Sequence, residues 1–227
     1  SRKLFKVCAL LMLAVMSCLL FSGCGGQSEQ KKFVITYLPN ESTDKNADAR
    51  KGMAGDLSKV LGMEVTELVS NDYNAVIEAM RTGKADMAYF GPLSFCLAYE
   101  RAGAEPIGMI AKDKDKKNAT YKSVLVTSIK NTDINSIQDI KGKTMAFVDP
   151  NSTSGNLIPS AAIMKAFPGE KLSMDDLHTN GKFFQAVSFS GKHQTGQAAI
   201  VTGDVQVATI PTAILAAEIH EGSVSKD

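Results

Sequence analysis

Residues 143–148, Lys143-Thr144-Met145-Ala146-Phe147-Val148, run into Asp149-Pro150-Asn151-Ser152-Thr153-Ser154-Gly155 and then into Asn156-Leu157-Ile158-Pro159-Ser160-Ala161-Ala162-Ile163-Met164. This reads as a short apolar strand, a loop of small polar residues, and a helix. Three consecutive hydroxyl side chains stand where the helix starts. One of them suffices as an N-cap, its oxygen accepting from an amide of the first turn. Three, with the unpaired amides of that turn and the positive end of the helix dipole, also make a pocket for an oxyanion. Taken alone, the stretch fits a hydroxyl-rich cap as well as an anion pocket.

The same alternation continues on both sides. Upstream, residues 33–39 read as a strand stopped by Pro39, residues 47–61 as a helix closed by Gly62, and residues 64–69 as a strand. Asn71-Asp72-Tyr73 caps a helix to about Arg81, with Val76, Ile77 and Met80 as its apolar positions. Residues 83–92 give a turn, a strand and a Gly-Pro break into another helix, and the apolar residues of 105–112 predict one more strand. After the charged loop 113–118, a second set begins: strands at 121–127, 140–148, 183–187 and 205–210, a helix at 194–202, and Pro211 opening another. Arg81-Thr82-Gly83-Lys84-Ala85-Asp86-Met87-Ala88 and Val201-Thr202-Gly203-Asp204-Val205-Gln206-Val207-Ala208 match as helix, Thr-Gly turn and strand. The pattern predicts an α/β protein of two lobes, 33–120 and 121–227, each a mainly parallel sheet flanked by helices. Two such lobes facing one another form a cleft, with ligands at the C-terminal ends of strands. The hydroxyl run lies at such an end.

The chain has 227 residues, with 25 Lys and Arg against 24 Asp and Glu, a balance that gives no support to nucleic-acid binding. Arg2, Lys3 and Lys6 precede a short apolar run, 7–21, as in a secretory signal peptide spanning 1–23. Small residues then lead to Cys24 as in a bacterial lipobox, which predicts lipid on Cys24 and a polar tether to Lys32. Of four cysteines, Cys8 and Cys18 fall in the leader, leaving Cys96 as a lone, buried small apolar residue. No Cys/His spacing suggests zinc, and no cofactor motif is present.

Four segments in order resemble the PhnD-type phosphate/phosphite/phosphonate-binding proteins of ABC importers: 71–73, 85–92, 149–155 and Ser190-Gly191-Lys192-His193. The resemblance implies a two-lobed, class II periplasmic-binding-protein-like fold that closes on its ligand. It implies an extracytoplasmic lipoprotein, held at the cell membrane through Cys24, that passes a phosphorus oxyanion to a membrane permease. Ser152, Thr153 and Ser154 are then expected on the phosphoryl oxygens, His193 as a further donor whose charged imidazole is stabilised by the anion, and Tyr73 and Tyr121 reaching in from the first lobe and the interlobe segment. Tyr89 and Gly155 are expected to line the cleft. Ordinary alternatives are a helix-cap histidine and tyrosines packed at a lobe edge.

The resemblance also shows departures. Ala213 stands where family members taking aminoalkyl phosphonates place a carboxylate, and Gln206 replaces an Asp, which points to phosphate, phosphite or a small alkyl phosphonate. Relatives continue past residue 227 through a segment returning to the first lobe. Two other readings are another small anion, such as a sulfonate, in the same fold, and a secreted phosphoryl-transfer enzyme with Ser152 or Ser154 as nucleophile and His193 as base.

Overall fold

A computed structural model describes residues 31–225, Lys112 excepted. The leader, Cys24 and the tether before Lys31 lie outside the described residues. Among the described residues seven strands make two sheets. The first is ordered β2-β1-β3 from β1 (Phe33–Thr36), β2 (Val65–Leu68) and β3 (Met87–Ala88), and both of its pairings are parallel. The second is ordered β4-β7-β5-β6 from β4 (Ser123–Val126), β5 (Thr144–Phe147), β6 (Ala186–Phe189) and β7 (Val207–Pro211). Its β5–β6 and β5–β7 pairings are parallel, and only β4 runs antiparallel, against β7. The expected α/β architecture of mainly parallel sheets is therefore present.

Among the described residues seven α-helices flank the strands: α1 (Ala47–Leu61), α2 (Tyr73–Arg81), α3 (Pro92–Ala102), α4 (Ile158–Ala166), α5 (Met174–His178), α6 (His193–Thr202) and α7 (Thr212–His220). Their ends follow the sequence signals. Asp72 accepts from the Ala75 amide at 2.7 Å to cap α2, and Gly62, Gly103 and Gly203 close α1, α3 and α6 in the left-handed region. Val76 and Ile77 of α2 are fully buried.

The main core lies within the second half, where Met145 and Phe147 of β5 meet Ile163, Leu177 and Phe184. Each such side chain contributes about 1.5–3 kcal/mol by leaving water. A smaller cluster joins the halves: Val148, just past β5, packs among Leu38, Tyr73 and Val76. It presses the start of α2 against the hydroxyl loop.

The Thr-Gly repeat has a shared physical role. The Asp86 amide donates to the Val34 carbonyl at 2.8 Å while its Oδ2 accepts from the Val34 amide at 2.8 Å. Gln206 does the same to Thr144, its amide donating to the carbonyl at 3.2 Å and its Oε1 accepting from the amide at 3.1 Å. Each side chain clamps the start of its strand to a neighbour.

Three sequence expectations fail. Residues 105–111 form no strand, and Ile107, Met109 and Ile110 are 81%, 66% and 74% exposed; apolar alternation specifies a face, but a strand also needs a partner edge. Phe183 and Phe184 precede β6 rather than belonging to it, because both rings turn into the core. Cys96 is exposed: Ser94 and Ala98 face inward on α3, and Cys96 lies two residues from each, on the opposite side.

Candidate functional site

The hydroxyl loop starts its helix as a wide π turn, Thr153–Leu157, before α4 takes over at Ile158. Ser152 is the cap: its Oγ accepts from the Gly155 amide at 2.9 Å. The first amides of such a turn have no partner within the helix, and π turns recur at functional sites. Gly155 is required by space. A Cβ there would fall 2.4 Å from Val148 Cβ and 2.7 Å from Ser152 Oγ.

The loop is held from below by the sheet. The Ser154 carbonyl accepts from Ser123 Oγ at 2.6 Å, and the Gly155 carbonyl accepts from the Val148 amide at 3.0 Å and Thr209 Oγ1 at 3.1 Å. Asn156 ties the far side, its Nδ2 donating to the Pro150 carbonyl at 3.0 Å and its Oδ1 accepting from His178 Nε2 at 2.7 Å. With its main-chain acceptors occupied, the turn presents hydroxyls and first-turn amides.

Groups from the first half meet two of the three hydroxyls. The Tyr73 hydroxyl donates to Ser152 Oγ at 3.4 Å, and the Leu93 amide, at the start of α3, donates to Thr153 Oγ1 at 2.8 Å. A Cβ on Gly91 would stand 3.4 Å from Thr153 Oγ1 and 3.9 Å from the Tyr121 hydroxyl, so these three converge. Tyr121 is otherwise about half exposed. Tyr89 is half-buried, and burial raises its phenol above the ordinary range. Burial also pushes Tyr73 up to about 12, so it is a neutral donor at physiological pH.

His193 differs from expectation in charge. Its Nδ1 lies 3.0 Å from the Thr209 carbonyl, which can only accept, so Nδ1 carries the proton and Nε2 accepts from Ser154 Oγ at 3.1 Å. Burial pushes the imidazole down to about 4. His193 is thus a neutral acceptor that aligns the Ser154 hydroxyl, not a charged donor.

Sequence reasoning missed two contributors. Asn40 is the link between the halves: its Nδ2 donates to the Tyr73 oxygen at 2.5 Å, and its Oδ1 accepts from the His193 amide at 2.8 Å. Leu93 acts through its main chain, and the available signal was Pro92 at a helix start, which leaves the next amide free. Gln206, by contrast, clamps the beginning of β7 and says nothing about the ligand. Ala213 lies exposed in the first turn of α7.

Two α/β sheets meeting over a hydroxyl-lined turn define a periplasmic-binding-protein-like fold. Solved structures share this fold: a binding protein of an ABC phosphonate transporter from Pseudomonas aeruginosa aligns with a TM-score of 0.69 at 24% identity, over 85% of this chain and 61% of that one. PhnD1 from Prochlorococcus marinus in complex with methylphosphonate aligns with a TM-score of 0.66 at 23% identity, over 83% and 66%. The chain belongs to the phosphonate-binding family of ABC-transporter periplasmic substrate-binding proteins, whose sequence model matches residues 35–227. The phosphate-import protein PhnD of Mycolicibacterium smegmatis is 30% identical over 82% of this chain and 60% of its own length. The probable phosphite-binding protein PhnD1 of Prochlorococcus marinus is 30% identical over 88% and 63%. The chain thus spans somewhat under two thirds of the length of these relatives.

Proposed function

We propose that this protein is an extracytoplasmic solute-binding lipoprotein that captures a phosphorus oxyanion (phosphate, phosphite or a phosphonate) and delivers it to an ABC permease. The observation that carries the reading is the convergence of the Tyr73 hydroxyl and the Leu93 amide on the Ser152-Thr153-Ser154 turn. On this reading the two sheets are two lobes joined near residue 120, and Tyr73, Tyr121, Ser152, Thr153, Ser154 and His193 contact the ligand, with Tyr89 and Gly155 lining the cleft. Neutral hydroxyls and amides at a helix start hold a tetrahedral anion by hydrogen bonds and the helix dipole. Lipid on Cys24 anchors the receptor beside its permease.

Binding rather than catalysis is supported by His193. An imidazole pushed down to about 4 is a weak base, and its Nδ1 is held by a carbonyl instead of a carboxylate. Calorimetric titration of the protein with phosphate, phosphite, methylphosphonate and an alkanesulfonate tests the assignment. Saturable binding of a phosphorus oxyanion is expected. Folded protein that binds the sulfonate alone, or none of the four, refutes it.

A further inference from the structure

Glu41 carries a buried carboxylate oxygen without a partner. Its Oε2 is withdrawn from solvent and accepts no hydrogen bond among the described residues. Arg50 of α1 touches Glu41 only at its main chain and is committed elsewhere, donating to the Glu41 and Thr43 carbonyls at 2.7 and 2.6 Å and through Nε to both Glu67 carboxylate oxygens at 3.0 Å. Glu41 follows Asn40, the residue that bridges Tyr73 and His193. A charge on Glu41 is felt by the phenols of Tyr73 on α2 and Tyr89 beyond β3, raising both. From the facing side, Gln194 of α6 donates to the Asn40 carbonyl at 3.2 Å and leaves its own Oε1 buried and unpartnered. Asp149 is another carboxyl near Tyr73, itself raised by burial, and His193 is neutral. The wall beside the hydroxyl turn therefore holds acceptors that lack donors.

An ionised carboxylate in that position is costly, and an approaching oxyanion makes it more so. A proton on Glu41 removes the repulsion and turns the group into a donor. Resting on the oxyanion reading above, we propose that Glu41 is a ligand-contacting residue which takes a proton from the buffered solvent on binding, leaving the buffer's conjugate base, and donates it as a hydrogen bond to the bound oxyanion. Burial pushes Glu41 up to about 7 before any ligand arrives. At pH 7 about half of the molecules lack the proton, so binding takes up roughly half a proton through Glu41. At pH 9 only about one molecule in a hundred is competent, and affinity falls about hundredfold.

Isothermal titration with methylphosphonate, phosphite and 2-aminoethylphosphonate, in buffers of different ionisation enthalpy from pH 6 to pH 9, reads this uptake. Wild type and Glu41→Gln share the ligand's own ionisation, so their difference isolates Glu41. Glu41→Gln, whose amide still donates, should match wild type near pH 6, bind about a hundredfold tighter than it at pH 9, and lose the Glu41 share of proton uptake. Infrared difference spectra of wild type should gain a protonated-carboxyl stretch on binding, a readout independent of any variant. Equal uptake in the two proteins, or no new stretch, overturns the role of Glu41 while leaving the oxyanion reading intact. Selective loss of 2-aminoethylphosphonate in Glu41→Gln also overturns it, by assigning an ionised carboxylate to the ammonium group. Absence of binding by folded wild type overturns both.

Discussion

Replacing Gly155 by Ala tests whether the cradle is built by close approach of two backbones. The added Cβ would lie 2.4 Å from Val148 Cβ, 2.6 Å from Val148 Cγ2 and 2.7 Å from Ser152 Oγ, where ordinary contact begins at 3.4 Å. Two of the clashing atoms belong to a side chain that is 1% exposed and wedged among Leu38, Tyr73 and Val76. Relief needs the turn to lift by about 1 Å, which stretches the Val148–Gly155 bond of 3.0 Å and the Gly155–Ser152 bond of 2.9 Å beyond hydrogen-bonding range. Overpacking costs about 1–3 kcal/mol and each lost bond about 1 kcal/mol, so roughly 3 kcal/mol of stability should disappear. Urea unfolding measures this. Oxyanion titration of the folded fraction should show weaker binding, because Ser152 and the first-turn amides have moved. Adding Val148→Ala should not rescue the variant, since the shortest contact is to Cβ, whereas Val148→Gly should partly rescue it. Stability within about 0.5 kcal/mol of wild type would refute the argument, as surface-like tolerance is of that size.

Glu41 and His193 should give opposed pH dependences of stability. The folded protein holds the Glu41 proton from 4.5 up to about 7, which lowers stability as pH rises through that window. The unfolded chain takes the His193 proton first, between 6.5 and about 4, which lowers stability as pH falls. Each window is worth about 3 kcal/mol, so Glu41→Gln should unmask a rise in stability from pH 4 to 6.5 and His193→Gln a fall from pH 4.5 to 7, both read by urea unfolding. Flat profiles in both variants would contradict the burial of the two groups. Thr153→Ala should weaken oxyanion binding by about 1–3 kcal/mol, the range for a hydrogen bond to a charged group, with unchanged affinity removing Thr153 from the site.

The strand-turn-helix at 143–164 was legible because local signals agreed: apolar strand, cap hydroxyls and an apolar helix stripe. The Thr-Gly repeat was equally visible, but its meaning was not. Gln206 stands in the sequence where the family resemblance expects an acid, and only pairing geometry shows that it, like Asp86, clamps the start of a strand. His193 failed in a related way. Residue type proposes a cation; burial and the Thr209 carbonyl decide its charge, and neither is local in sequence. Asn40 carried no motif at all, because its role is to link Tyr73 and His193 from opposite halves of the chain. The 105–111 segment has the composition of a strand without a neighbouring edge among the described residues.

Three of the cradle's donors already have acceptors within the protein. Tyr73 serves Ser152, Leu93 serves Thr153, and Ser154 serves His193. An oxyanion must therefore exchange these bonds for its own, and only the difference shows up as affinity. Exchange favours the anion because bonds to a charged acceptor are stronger than the neutral pairs they replace. The longest internal bond, Tyr73 to Ser152 at 3.4 Å, is the one most cheaply broken, and Tyr73 stays in place through Asn40 and the Val148 cluster. Tyr73 is thus preorganised to turn from the cap hydroxyl to the ligand without moving its ring. On the proposed reading charge drives the exchange and spacing sets the fit: the hydroxyls of one turn, with a phenol and an amide from the other half, match the several oxygens of a tetrahedral head, and a neutral molecule of the same shape gains no advantage in the exchange.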